Sequence, residues 1–407
     1  MGSNKSGIYK LKGVIRNYDW GGADFLSNLL SHPNPFKQPM AEYWLGAHES
    51  SPSLLETSQG DVELNKFISN DIERILGKTV VKKFARLPYL LKLLDVKDML
   101  SIQVHPSKHT AEVEFERENA EGIPLNAVNR DYKDNNHKPE LVVSLNNFWL
   151  IHGFKPVGKL RATLQFIPEL KPLLDIFNET GYDQLYKTVM EMPQQSVNRL
   201  LQPLLDRIIP LYQQNKLAKD QEDFWAARAA LSFNHQPNDR GIFSIYFFNL
   251  IHLKKSEGIF QDAGVPHAYL EGQNVEIMAN SDNVLRGGLT TKHINVKELM
   301  RNIKFEETMP QILHPQKIDH EEVYRTAAPD FKLSHFELKK GDNSILDSVT
   351  AEILLAIDGN LLITSGGDKL ELNKGEAAFI TSGNQITLNA LSETDLYRAS
   401  VPAHHIE

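Results

Sequence analysis

The 407 residues exceed what one hydrophobic core usually serves, so two or three domains are expected, and 41% hydrophobic with 24% charged residues excludes a disordered or fibrous chain. A formal net charge of -8 works against non-specific attraction to nucleic acid or an anionic membrane surface, so positive contacts to any anionic ligand must be local. With no cysteine, disulfides, thiolate nucleophiles and thiolate metal sites are excluded together; any metal must use His, carboxylate or amide ligands, and a reducing compartment fits.

In chain order, Met1-Gly2-Ser3-Asn4-Lys5-Ser6 fits the loose N-myristoylation pattern, yet that pattern matches often by chance and Gly-Ser is a common cloning remnant, so no lipid anchor is expected. Lys10, Lys12 and Arg16 break any apolar signal-peptide core. From 8 to 154 the pattern is mixed: LPYLLKLL (87–94) and LSIQVHP (100–106) read as buried strands, and Glu-rich 111–122 as an exposed helix ended by Gly122. Near Val157 helical spacing takes over. Val197, Leu200, Leu201, Leu204, Leu205, Ile208 and Ile209 make one apolar stripe, while Pro203 and Pro210 leave a kinked helix or two shorter ones open. After the turn cluster 238–241, strand-like runs return at 242–253 and 258–270; the first, interrupted by Ser244, Asn249 and His252, is far short of the roughly 20 residues a membrane helix needs. From Phe331 onward AEILLAI, LLITS, KLEL and AAFIT alternate with glycine turns, which predicts a β-sandwich or jelly roll. The predicted layout is a β domain (1–156 and 241–320), a helical insertion (157–240) and a C-terminal β domain (321–407) without metal, since its strands offer no clustered His and Glu.

Three separated segments each offer metal-ligand types. In a strand, Gln103 and His105 share a face, although such a pair alone is more commonly an ordinary polar pair. Glu140, after His137-Lys138-Pro139, leads a carboxylate into the apolar run LVVSL, where a charge needs a partner. His267, in GVPHAYL, offers an imidazole between small and apolar neighbours. Downstream, EIMANSDNVLRGGLTTK (276–292) gathers acids, bases and amides; Arg286 and Lys292 suit a phosphate, and Gly287 and Gly288 permit close backbone approach to a ligand.

Together with NYDWG (17–21) and AEYWLGAH (41–48), the stretches SIQVHP, NHKPELV, PHAYL and EIMANSDNVLRGGLTTK, in this order, closely resemble the type I phosphomannose isomerases, particularly the bacterial branch. The resemblance spans nearly the whole chain. It implies a mainly β fold with a helical insertion: a cupin-like jelly-roll catalytic domain, a helical domain and a second jelly roll. It also implies one zinc ion per chain on Gln103, His105, Glu140 and His267, with Arg286 as catalytic arginine. Lys138, His137, Tyr269, Glu276 and Asp282 would line the pocket, and Ser101, Lys92 and Lys292 would stand on the substrate and phosphate side. Thr290-Thr291-Lys292 departs from the family's usual Thr-Pro-Lys, so the turn presenting Lys292 loses a fixed φ.

The implied reaction interconverts mannose 6-phosphate and fructose 6-phosphate through an enediol. A base moves a proton between carbons 2 and 1, and Arg286 stabilises the developing oxyanion. Lys138, Glu276, Asp282 and His137 are all candidate bases, with a Lys138 and Asp282 pairing preferred; zinc either polarises the reacting oxygens or chiefly holds the sugar. A non-catalytic cupin-type sugar-phosphate binder and a metal hydrolase are the competing readings. The expected partner is a small-molecule sugar phosphate, with no nucleic acid and no membrane, and the expected state is a cytoplasmic monomer.

Overall fold

The computed structural model describes residues 7–232, 238–318 and 320–402, so the N-terminal hexapeptide considered for lipidation lies outside it. The fold is mainly β with a helical insertion. One sheet follows the path Phe248–Leu253, Phe148–Phe154, His267–Ala279, Tyr89–Val96, Glu42–Gly46, Val14–Arg16, with Gln103–Val104, Leu285–Arg286, Glu140–Ser144 and Gly258–Gln261 paired alongside. The long strand His267–Ala279 is its spine. The first half pairs with Phe148–Phe154 and the second with Tyr89–Val96 and Glu140–Ser144, the register shifting between Tyr269 and Glu271. Gly272 makes that corner possible: its φ is 125°, and a Cβ there would lie 2.2 Å from the Asn147 carbonyl oxygen. The interior behind the corner is apolar, built from Leu94, Val142, Phe148, Leu150, Ile251 and Ile259.

The second β unit packs a nine-stranded sheet against the four strands Asn343–Ser348, Asn384–Ala390, Leu361–Ser365 and Asp368–Leu372, around Phe336, Leu354, Ile363, Ile386 and Leu388. AEILLAI, LLITS, KLEL and AAFIT all form strands there. Ile8–Lys12 does not follow the layout drawn from sequence: it pairs with Ala377–Ile380 and Leu54–Thr57, so the first described strand lies within the C-terminal sheet. A shared core of Leu91, Leu93, Val275 and Ile277 against Leu333, Ile353, Phe379 and Tyr397 joins the two units.

Helices fill the segment from Val157–Phe166 to Glu222–Leu231. Gln194–Gln213 is one helix containing both Pro203 and Pro210, with Val197, Leu201, Leu204, Leu205 and Ile208 buried; burial of the stripe holds it together through two missing hydrogen bonds. The interruption lies instead in Pro172–Glu191, where Gly181 takes φ 78°. Residues 242–253 also differ from expectation: Gly241–Phe247 is a fully buried helix and the strand is Phe248–Leu253. An apolar run buried on all sides has no periodicity to tell helix from strand. Lys108–Ala120 is helical as predicted, and Gly122 follows it at φ 72°.

In contrast to the expectation for the C-terminal strands, His335 there meets two acids. Its Nδ1 lies 3.2 Å from Glu322 Oε2 and its Nε2 2.7 Å from Asp395 Oδ1, so each nitrogen serves its own carboxylate. Burial alone pushes the imidazole pKa down, but the two carboxylates more than offset this and hold it above the ordinary histidine value. The resulting stabilisation is complete below about pH 6.5 and disappears as pH rises through the raised native value. The gap in melting temperature between the unmodified chain and His335→Gln is therefore expected to be widest near about pH 6 and to narrow toward about pH 9. Calorimetry finding a gap of constant size would remove the charge from the account.

Candidate active site

Gln103 is the register partner of His267 on one side and of Arg286 on the other, which sets an amide, an imidazole and a guanidinium abreast on three neighbouring strands. His105 follows directly and is fully buried, while Glu140 opens its strand opposite Met278. Each imidazole is oriented by a backbone carbonyl: His105 Nδ1 donates to Asn283 O at 2.8 Å and His267 Nδ1 to Val265 O at 3.0 Å. A carbonyl accepts only, so both protons sit on Nδ1 and both Nε2 lone pairs face Glu140, at 3.4 Å from Oε1 for His105 and 3.3 Å from Oε2 for His267.

One ligating atom from each of His105, Glu140 and His267 lies within 4.8 Å of the other two. Three acceptors aimed at one another repel unless a cation sits among them, and His105 Nε2 has no hydrogen-bond partner. Burial lowers the His105 pKa to about 4, keeping it a neutral ligand. Burial would raise the Glu140 pKa, but the Lys138 charge beside it carries it well below the usual carboxylate range. Two neutral imidazoles and an ionised carboxylate form a donor set that suits zinc, and Gln103 lines the same recess.

Around this point lies a buried ionic layer. Lys138 Nζ is 2.9 Å from Glu140 Oε1; Lys92 Nζ is 3.1 Å from Glu276 Oε1, 3.5 Å from Glu42 Oε2 and 5.0 Å from the Trp44 ring centre. Tyr269 donates to Glu276 at 2.8 Å. Burial by itself would lower the Lys92 pKa, yet Glu42, Glu276 and Glu140 together raise it. Three carboxylates (Glu42, Glu140, Glu276) against two ammonium groups leave one excess negative charge, and Glu276 answers it with a pKa raised by burial and by its acidic neighbours.

Beside the layer opens a cavity of about 380 Å³ whose walls include Lys92, Ser101, Gln103, Lys138, Asp282 and Arg286, with exposed Lys292 at the mouth. Tyr269, Glu276, Glu140 and His267 line its inner extension. One expectation changes here. His137 turns away, its Nε2 lying 2.8 Å from Asp330 Oδ2 next to the C-terminal sheet. Lys138 and Asp282 line the same cavity, Lys138 Nζ lying 2.9 Å from Glu140 Oε1 and Asp282 Oδ2 3.2 Å from His48 Nε2. Glu42, Trp44 and His48 stand in the motif AEYWLGAH, where the sequence gives them no role; the charged groups they meet, Lys92 and Asp282, lie far along the chain.

Residues 8–157 match the family model of the phosphomannose isomerase type I catalytic domain. A mannose-6-phosphate isomerase from Shigella flexneri is 37% identical over 382 residues, covering 92% of this chain and 95% of its own length. This chain belongs to the type I phosphomannose isomerase family. A mouse mannose-6-phosphate isomerase is 31% identical over 425 residues, or 96% of this chain and 97% of its own. A crystal structure of the Salmonella typhimurium enzyme bound to fructose 6-phosphate and zinc has a TM-score of 0.88 at 33% identity, covering 97% of this chain and 100% of that one.

For this family member, the ionic layer makes Lys92 a structural group. Lys92→Met leaves Glu42 and Glu276 without their buried counter-charge and is expected to destabilise the fold by about 3–5 kcal/mol. Urea denaturation of the metal-depleted protein measures this; an unchanged midpoint would show that the layer tolerates the uncompensated charge.

Proposed function

We propose that this chain interconverts mannose 6-phosphate and fructose 6-phosphate, with one zinc ion per chain on Gln103, His105, Glu140 and His267. The supporting observation is the set of inward-facing acceptors on His105, Glu140 and His267, at the inner end of a cavity walled by Arg286 and Lys138. Bound there, zinc would supply the positive charge that polarises or holds the sugar oxygens.

The remaining duties fall to side chains. Lys292 at the mouth and the Ser101 hydroxyl hold the phosphate end, and the Arg286 guanidinium, a permanent charge with planar donors, stabilises the enediolate oxygen. Asp282 takes the proton from carbon 2 and returns it to carbon 1. Burial would raise its pKa, but the His48 hydrogen bond and the Lys138 and Lys92 charges lower it, so the carboxylate is ionised at neutral pH. The hydroxyl proton passes from O2 to O1 with Lys138 beside it. Tyr269 and Glu276 keep Lys92 and Glu140 in register.

Among the described residues no helix is long and apolar enough to cross a membrane. The chain is assigned to the cytoplasm as a monomer, and its cysteine-free composition suits a reducing compartment.

Incubation of the purified chain with mannose 6-phosphate is expected to yield fructose 6-phosphate, and a chelator to abolish it until zinc is restored. A metal-loaded protein that binds the sugar phosphate without turnover would be a binder, and release of free phosphate would mark a hydrolase. Asp282→Ala and Lys138→Ala are each expected to slow tritium loss from carbon 2 by about 10²-fold or more in single-turnover measurements. Unchanged loss in both variants would end the proton-transfer assignment.

A further inference from the structure

Asp282 separates two cavities. It lines the substrate cavity and also a second one of about 550 Å³, whose walls include His48, Arg86 and Lys133. Its own side chain is 52% exposed, and a carboxylate so placed samples several rotamers unless a fixed neighbour holds it. His48 is such a neighbour. Its side chain is only 7% exposed, its ring packs edge-on against Trp44 with centroids 4.9 Å apart, and Ser50 fixes its tautomer. The Ser50 backbone N–H donates to His48 Nδ1 at 3.3 Å, and a backbone N–H cannot accept. The ring proton therefore stands on Nε2, which faces Asp282 Oδ2 at 3.2 Å. The Asp282 backbone is tied as well, its N–H donating to Asp134 Oδ2 at 2.7 Å.

We infer that His48 is a positioning residue for proton transfer: its Nε2–H pins one oxygen of Asp282, so that the other is presented to the sugar in the adjoining cavity. The assignment rests on Asp282 being the proton-transferring group. It also separates His48 from a relay, because a ring already protonated at Nε2 has no lone pair with which to take a proton from Asp282. Trp44 and Ser50 keep that donor aimed at all times, and the hydrogen bond favours the ionised carboxylate.

The test compares His48→Leu, His48→Gln, Asp282→Asn and the double variant His48→Leu/Asp282→Asn, each loaded with zinc and checked for bound metal and melting temperature. In His48→Leu, kcat is expected to fall about tenfold with KM within about twofold, the loss proper to a hydrogen bond to a charged group. The acidic limb of its pH–kcat profile moves to higher pH, because Asp282 loses the bond that lowers its pKa. His48→Gln, whose amide offers N–H near the Nε2 position, restores most of kcat. Asp282→Asn falls about 10²-fold, and adding His48→Leu to it causes no further loss. Independent, multiplicative losses in the double variant would overturn the inference, as would a His48→Leu enzyme with full kcat or a His48→Gln enzyme no better than His48→Leu. An Asp282→Asn enzyme with full kcat would overturn the reading of Asp282 itself, and the inference with it.

Discussion

Glu140 carries a negative charge into a place where 3% of the residue is exposed, between two imidazoles that turn their lone pairs toward it. An ion so placed is tolerated only with close compensation, since the penalty for removing it from water amounts to several kcal/mol. Lys138 supplies part of that, but Glu42 and Glu276 consume the charge of Lys92, and the layer remains one unit negative. A divalent ion at the acceptor point turns that excess into one net positive charge. Metal affinity and the placement of the surrounding ionisable groups are thus one electrostatic problem, solved jointly.

The architecture follows from holding that point rigid. Glu140, His267 and Glu276 project from two paired strands, and the turn at Gly272 lets one strand contribute to both halves of the sheet. The C-terminal sheet takes part without touching the cavity. Tyr89, three residues before Lys92 on the same strand, shares its single hydroxyl proton between the carbonyls of Ala351 at 3.0 Å and Ala399 at 3.1 Å. His137, directly before Lys138, is held by Asp330. Each cationic residue of the ionic layer is thereby anchored through a near neighbour to the second β unit, which limits the motion of the charges that face the ligands.

What was legible in the sequence was local. Strands with turn punctuation, the stripe from Val197 to Ile208, and ligand types within QVH, KPE and PHA all belong to short windows, and most of the named site residues line one cavity. What was not legible depends on pairs far apart. Lys92 and Glu276 are 184 positions apart, and His48 and Asp282 stand on segments with no shared periodicity, so no window contains either interaction. The same reason hid the Ile8–Lys12 strand in the C-terminal sheet, and the equal burial of all seven residues hid the Gly241–Phe247 helix. His137 was misplaced by adjacency: next to Lys138 in sequence, it leaves the chain on the other side.

Gly287 and Gly288 show how a correct residue can carry a wrong reason. Beside an arginine and a lysine, a glycine pair reads as room for a ligand to approach the backbone closely, yet the space it frees is filled by protein. A Cβ on Gly287 would lie 2.7 Å from the Tyr186 hydroxyl oxygen, and one on Gly288 2.5 Å from the Gly241 Cα. Asp239 closes the contact, one carboxylate oxygen accepting the backbone N–H of both Gly241 and Leu289. The helical segment thus grips the backbone immediately after Arg286, and Gly287 N–H donates to Ile102 O at 2.9 Å beside the Gln103 strand. An arginine that stabilises developing charge works only if its planar donors are aimed before the charge appears. The insertion therefore braces the backbone next to Arg286 through packing, without lining the cavity itself.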